Sequence, residues 1–207
     1  MLRPRPRPLT LALPARPPAS LPSGGPDLRL AAPLRPYAEV FASQLAYMDA
    51  LPADVQDGVS TYTRKGMYYE FNKTLASGAK PVLYEAVYDA LSQAVADVPP
   101  LDDPVLLYRG LTGGLDLTRM SKQFNSTSYL PSVADGTFIQ YNFQGQKCCL
   151  LKITVPAGAR VLPLGRLSRD PDEEEVLLPP GGTWHLVNMD VPAAPGHSTI
   201  YNLVYVP

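Results

Sequence analysis

Cysteine and histidine are scarce in this chain of 207 residues, with two of each. The cysteines, Cys148 and Cys149, are adjacent, and neighbours along a strand point to opposite faces, so they cannot staple distant segments. A disulfide framework is thereby excluded. A zinc site built on both cysteines is excluded on the same ground: His185 and His197 would bring the count to four, but adjacent cysteines on opposite faces cannot meet at one metal. The pair reads as small buried hydrophobes of a strand. Long apolar runs are also missing; none approaches the ~18 residues of a membrane span, which points away from a membrane partner. Charge of one sign is absent as well. The formal net charge is -1, so counterion release gives the whole chain no drive towards nucleic acid. The short catalytic signatures are missing too: no Gly-x-x-x-x-Gly-Lys phosphate loop, no His-Glu-x-x-His, no Gly-x-Ser-x-Gly and no Gly-x-Gly-x-x-Gly.

What is present is a globular composition, 45% hydrophobic and 18% charged, enough for one compact core. Proline is plentiful at 24, and ten of these fall in the first 36 residues. From Met1 to Pro26 no acidic residue occurs, while Arg3, Arg5, Arg7 and Arg16 sit among Pro, Leu and Ala. Proline fixes φ and removes backbone donors, so residues 1–36 are expected to form an extended, basic arm rather than a helix or paired strand. A signal or transit peptide competes with this reading, although Pro14 and Arg16 cut its apolar stretch short. A Pro-rich ligand, a translocation segment and a spacer stay open as roles for the arm. Four arginines without interleaved aromatics argue against specific nucleic-acid binding.

Helical periodicity follows. Tyr37 to Leu51 carries Val40, Phe41, Leu45 and Met48 at three-and-four spacing before Pro52. Further helices are predicted over Ala53 to Tyr62, over Gly66 to Ala76, and from Pro81 through a face of Leu83, Val87, Leu91, Val95 and Val98. The second half reads as strands: Val105 to Gly110, Lys122 to Tyr129, Cys148 to Val155, Arg160 to Leu164, Glu173 to Leu178, Thr183 to Asn188 and Thr199 to Val206. Helices over 37–98 followed by a β-core over 105–207 predict a single α+β domain with a largely antiparallel sheet.

Three features on these strands could carry chemistry. In Leu107-Tyr108-Arg109-Gly110 an arginine ends an apolar strand, where it could fork onto a phosphate or simply be solvated, and the glycine permits close approach to the backbone. In Phe124-Asn125-Ser126-Thr127-Ser128, alternation puts Ser126 and Ser128 on one face and Thr127 on the other. In Asp170-Pro171-Asp172-Glu173-Glu174-Glu175-Val176-Leu177-Leu178-Pro179, an acidic run enters a strand, placing Glu173 and Glu175 on one face. Such a run is commonly a solvated loop. Two carboxylates on one face also suit a reaction that develops positive charge at a sugar carbon. The spacing lacks the alternating oxygens of a calcium loop.

Taken in order, Tyr-Arg-Gly, Ser-Thr-Ser and Glu-x-Glu followed by Val-Leu-Leu-Pro resemble the Arg-Ser-Glu class of mono-ADP-ribosyltransferases, which includes bacterial toxins, phage enzymes and vertebrate ecto-enzymes. Tyr62-Thr63, Tyr69, Asn72 and Leu75 are similar to the helix pattern that precedes the core in that family, so the resemblance spans about residues 37 to 207. It implies a split β-sandwich with helices at its N-terminal side, NAD as co-substrate without a metal, and transfer of ADP-ribose to a protein. By resemblance, Glu175 is the glutamate that stabilises the oxocarbenium-like transition state, Ser126 orients it, and Arg109 holds the NAD phosphates. Gly110, Thr127, Ser128, Asn72 and Phe143 are implied to contact NAD. Lys147, where arginine is often found, would meet phosphate as a point charge. Glu173 matches the residue that as Glu accompanies arginine acceptors, so the implied protein partner presents an arginine.

Two further readings use the same residues: an NAD glycohydrolase with water as acceptor, and a catalytically silent interaction module. Asn125-Ser126-Thr127 and Asn72-Lys73-Thr74 are both N-glycosylation acceptor sequences. A glycan at Asn125 would sit in the implied site, which favours action in cytoplasm, the protein's own or that of a recipient cell.

Overall fold

Proline and glycine punctuate the helices, and two-residue alternation sets the sheet. A computed structural model describes residues 35–112, 114–134, 148–191 and 199–207. Helix α1 (Tyr37–Val40) and α2 (Ala42–Ala50) replace the single helix expected there, because the backbone kinks at Phe41, whose ring is wholly buried. Helix α3 (Ala53–Tyr62) follows Pro52, and α4 (Met67–Ala76) follows Gly66 at φ 88°, a left-handed conformation suited to glycine. After Pro81 the chain first makes a 3-10 turn, Val82–Tyr84, and only then α5 (Glu85–Asp97). Leu83 is consequently 90% exposed, against the expectation of a buried face, while Val87, Leu91 and Val98 are buried.

Helices α3 and α5 approach closely at Gly58. A Cβ built there would lie 2.4 Å from the Cβ of Ala90, an overlap that no rotamer change relieves. Gly58→Ala is therefore expected to destabilise the protein by roughly 1–3 kcal/mol, although alanine is the better helix former. A lowered denaturant midpoint at unchanged m-value would bear this out; a raised one would mean that the helices separate at little cost.

The strands are β1 (Val105–Thr112), β2 (Asn125–Ser128), β3 (Cys148–Val155), β4 (Leu162–Pro163), β5 (Glu175–Leu178), β6 (Thr183–Asp190) and β7 (Thr199–Val206). A short helix, α6 (Leu117–Met120), lies between β1 and β2, with Asp116 capping the Arg119 N–H at 2.9 Å. The strands form one sheet in the order β4-β5-β2-β1-β3-β7-β6. All pairings are antiparallel except β3 with β7. The split implied by the resemblance divides this sheet into β4-β5-β2 and β1-β3-β7-β6. They meet between β1 and β2 through a single registered pair, Tyr108 with Ser128.

Several strands are shorter than their sequence suggests, each for a local reason. Asn125 Nδ2 donates to the carbonyls of Met120 and Gln123, holding residues 121–124 as a turn. Arg160 does not join a strand; its guanidinium donates to the Ala96 and Val98 carbonyls and caps α5. Pro171–Glu173 is a 3-10 turn and Glu174 is left-handed at φ 47°, so β5 begins only at Glu175. Glu173 therefore does not alternate with Glu175 along a strand.

Two large cores flank the sheet, beside a small third cluster of Tyr108, Ala134 and Leu150. Val176 and Leu178 pack in one with Leu107, Leu151, Ile153 and Tyr205. Leu177 packs in the other with Val59, Tyr62 and Phe71 of the helices and with Phe124. Because strand residues alternate, Glu175 shares the face of Leu177 and is aimed towards α3 and α4.

Candidate active site

Where β1 leaves β2, the sheet parts and a cavity of about 980 Å³ opens beside α3 and α4, within the range of ligand pockets. Arg109, Gly110, Ser126, Thr127, Ser128, Asn72, Glu173 and Glu175 all line it. The structure thus gathers the three strand motifs and the α4 asparagine into one cleft. Phe143 and Lys147 lie outside the described residues.

Glu175 sits at the buried base of the cleft, 9% exposed. Its partner across the ladder is Ser128, and Ser126 is the diagonal neighbour on the same face. Ser126 Oγ donates to Glu175 Oε1. Ser168 Oγ donates to Oε2 at 3.0 Å. Burial pushes the Glu175 carboxyl above the usual carboxylate range, while these two hydroxyls and the Arg109 charge pull the other way. The backbone carbonyl of Glu175 accepts from Tyr37 Oη at 3.0 Å and from the Leu164 N–H at 2.9 Å, which fixes the residue from behind.

Arg109 reaches across the parted strands, its Nη1 donating to the Ser126 carbonyl. Its Nε is buried without a protein partner. Burial holds the guanidinium below its usual pKa, opposed in part by Tyr62 and Glu175. A forked cation at a cavity wall is suited to a phosphate oxygen.

The remaining hydroxyls brace the motif. Thr127 Oγ1 donates to the Val176 carbonyl at 2.6 Å, and Ser128 Oγ to the Glu173 carbonyl at 2.6 Å. The left-handed Glu174 is pinned by the Tyr129 N–H on its carbonyl at 3.1 Å. This sharp bend, rather than strand alternation, brings Glu173 to the same cavity as Glu175. Burial, then the negative charges of Glu175 and Asp170, raise the Glu173 carboxyl above its usual range.

Asn72 links helix to sheet: Nδ2 donates to Tyr62 Oη at 2.8 Å, and Oδ1 accepts the Phe124 N–H at 3.1 Å. Its amide is thus committed to the wall of the cleft that it lines. A smaller recess of about 400 Å³ continues from the cleft, sharing Tyr69, Asp116 and Arg119 with it and adding Lys73 and Lys122.

The sequence reaches Ser168 only within Gly165 to Asp172, a segment that resembles the turn reading the target protein in the family that the motifs resemble, and gives it no role of its own, because a serine in a polar turn carries no periodic signal. Tyr62 is visible as the end of the helix over Ala53 to Tyr62 and within the resemblance that includes Asn72. Among the described residues no cluster of three or more His, Cys, Asp or Glu could hold a metal ion, and no helix is long and apolar enough to cross a membrane.

Comparison with known proteins gives a consistent fold. No protein-family model matches the sequence, and no curated protein sequence does. Solved structures do match. Plx2a, an ADP-ribosyltransferase toxin from Paenibacillus larvae, superposes with a TM-score of 0.63 at 17% identity, over 82% of this chain and 94% of that one. The Clostridium limosum C3 exoenzyme gives 0.60 at 17% identity, over 84% and 96%. The ADP-ribosyltransferase Vis, a Vibrio splendidus toxin, solved in complex with agmatine, gives 0.55 at 18% identity, over 85% and 88%. The helices, the parted seven-stranded sheet and these superpositions together show that the chain has the fold of the ADP-ribosyltransferase toxins.

Proposed function

We propose that this chain is an NAD-dependent mono-ADP-ribosyltransferase whose acceptor is an arginine on a target protein. The observation that carries the reading is the buried Glu175 carboxylate, with one hydroxyl on each oxygen and a second carboxylate, Glu173, lining the same cavity. A buried, preorganised anion stabilises cationic charge that develops when the nicotinamide–ribose bond breaks, and stabilises it more than the ground state. NAD suits the donors on the cavity wall. The Arg109 guanidinium lines the cavity as a forked cation for an anionic oxygen, and Gly110 exposes backbone without a side chain. Thr127 and Ser128 hold the strand geometry, and Asn72 the helix wall, around the dinucleotide.

Glu173 supports an arginine acceptor, because a carboxylate meets a guanidinium in bidentate fashion and can take its proton. Residues 37–207 would form the transferase domain and the Pro/Arg-rich residues 1–36 an arm outside it. Action in a cytoplasm, the protein's own or a recipient's, is supported by the acceptor sequences. Asn125 is fully buried and Asn72 nearly so, and a glycan on either is incompatible with their packing.

The test is nicotinamide release from NAD by the purified full chain, with and without agmatine. Release that rises with agmatine, accompanied by ADP-ribosylated agmatine, is the expected result. Release without any agmatine product would make the protein an NAD glycohydrolase. No release from folded protein would leave an interaction module.

A further inference from the structure

The two hydroxyls on Glu175 come from different parts of the chain. Ser126 belongs to β2, whereas Ser168 opens the turn that leads to Glu173. Ser168 is itself buried and its hydroxyl works in both directions. It donates to Glu175 Oε2 at 3.0 Å and accepts the Asp170 N–H at 3.3 Å. The Asp170 carbonyl in turn accepts the Glu173 N–H at 3.0 Å. A continuous chain of hydrogen bonds thus runs from Glu173 through Asp170 and Ser168 to Glu175. The turn is also tied to α3, since the Arg169 N–H donates to Thr63 Oγ1 at 3.2 Å.

We propose that Ser168 is a positioning residue that couples the turn carrying Glu173 to the Glu175 carboxylate, so that an acceptor guanidinium on the turn and the carboxylate are held in one geometry. This rests on the transferase reading and deepens it. Ser126 alone fixes one oxygen and leaves the carboxylate free to turn about that contact. The second hydroxyl removes this freedom and makes the orientation depend on the turn. Alanine at 168 loses both donor and acceptor, leaving Oε2 buried without its partner, whereas threonine keeps both. The other groups facing Glu175 are Arg109 from β1, Asp170 and Glu173 from the turn, Tyr62 from α3 and Tyr37 from α1. Their side chains are unchanged by the substitution, and only Asp170 loses a direct contact, the acceptor of its N–H.

The experiment compares full-length wild type, Ser168→Ala and Ser168→Thr. It measures kcat and KM for NAD under saturating agmatine across pH, together with a 13C NMR titration of the Glu175 side-chain carboxyl. Ser168→Ala is expected to lower kcat by about ten- to hundredfold, the worth of one hydrogen bond to a charged group, with KM for NAD nearly unchanged. Losing a donor to the ionised form favours the protonated one, so the acid limb of kcat and the Glu175 titration both move to higher pH. Ser168→Thr should restore rate and profile. A loss expressed wholly in KM, an unmoved acid limb, or failure of threonine to rescue would overturn the proposal. If wild type releases no nicotinamide, the transferase reading fails by itself, and the titration still decides the link: Glu175 titrating alike in wild type and Ser168→Ala overturns it.

Discussion

Glu175→Gln is expected to reduce nicotinamide release by roughly a thousandfold or more while making the protein more stable. The loss follows from charge. Glutamine matches the carboxylate in shape and can still bond Ser126 and Ser168, but it brings no anion to the developing cation, the kind of preorganised electrostatic term that removal of a single group costs ~10²–10³ in rate or more. KM for NAD should change little, since the group acts in the transition state. The gain follows from burial, which raises the Glu175 carboxyl in the folded state. A carboxyl raised in this way binds its proton more tightly folded than unfolded. Its contribution is favourable below the unfolded pKa and is lost as pH rises through the folded value, so at neutral pH the buried charge is a cost. Removing it should raise the melting temperature at pH 7 by a few degrees, and the difference from wild type should shrink in acid. Thermal unfolding at pH 7 and at pH 4, beside the rate assay, tests both halves. A variant retaining a tenth of wild-type turnover would remove the Glu175 charge from the chemistry.

The same burial explains which parts of the molecule were legible in the sequence. Val55, Val59 and Tyr62 repeat at helical spacing and are buried as that spacing implies. Cys148–Val155 and Thr199–Val206 are strands over the full expected lengths. Periodicity reports burial, and where a residue is placed by burial the pattern suffices. Elements failed where a hydrogen bond or a backbone angle decides. Leu83 is apolar and correctly spaced, yet the turn after Pro81 delays the helix and turns it to solvent. Arg160 looked like a strand start and is a helix cap. At the site, Arg109, Ser126 and Glu175 carried a motif signal, whereas Ser168 and the bend at Glu174 did not. Glu173 and Glu175 were expected to share a face through alternation. They reach one cavity because Glu174 is left-handed, a local choice that no two-residue period encodes.

Glu173→Gln is expected to separate the two halves of the reaction: transfer to agmatine should fall by roughly a hundredfold or more, while hydrolysis of NAD persists within a few-fold of wild type. The geometry assigns the halves to different carboxylates. Glu175 is buried and held on both oxygens, fit to act on NAD. Glu173 is only partly buried, lines the cleft, and its side chain is not committed to a hydrogen bond among those of the described residues that hold the turn. It is therefore free to receive a cation from outside. A guanidinium loses its bidentate ionic partner when the carboxylate becomes an amide, and loses the base that accepts its proton, a combination worth ~10²–10⁴ in rate. Water needs neither. The raised Glu173 carboxyl, pushed up by burial and by the charges of Glu175 and Asp170, adds a second signature. Transfer should fall as the solution is acidified and Glu173 takes up its proton, because protonated Glu173 resembles the glutamine variant. Rates of agmatine labelling and of nicotinamide release, measured together over pH, decide the matter. Parallel loss of both activities in Glu173→Gln would mean that Glu173 serves the cleavage step and that the arginine acceptor has no dedicated partner in the cleft.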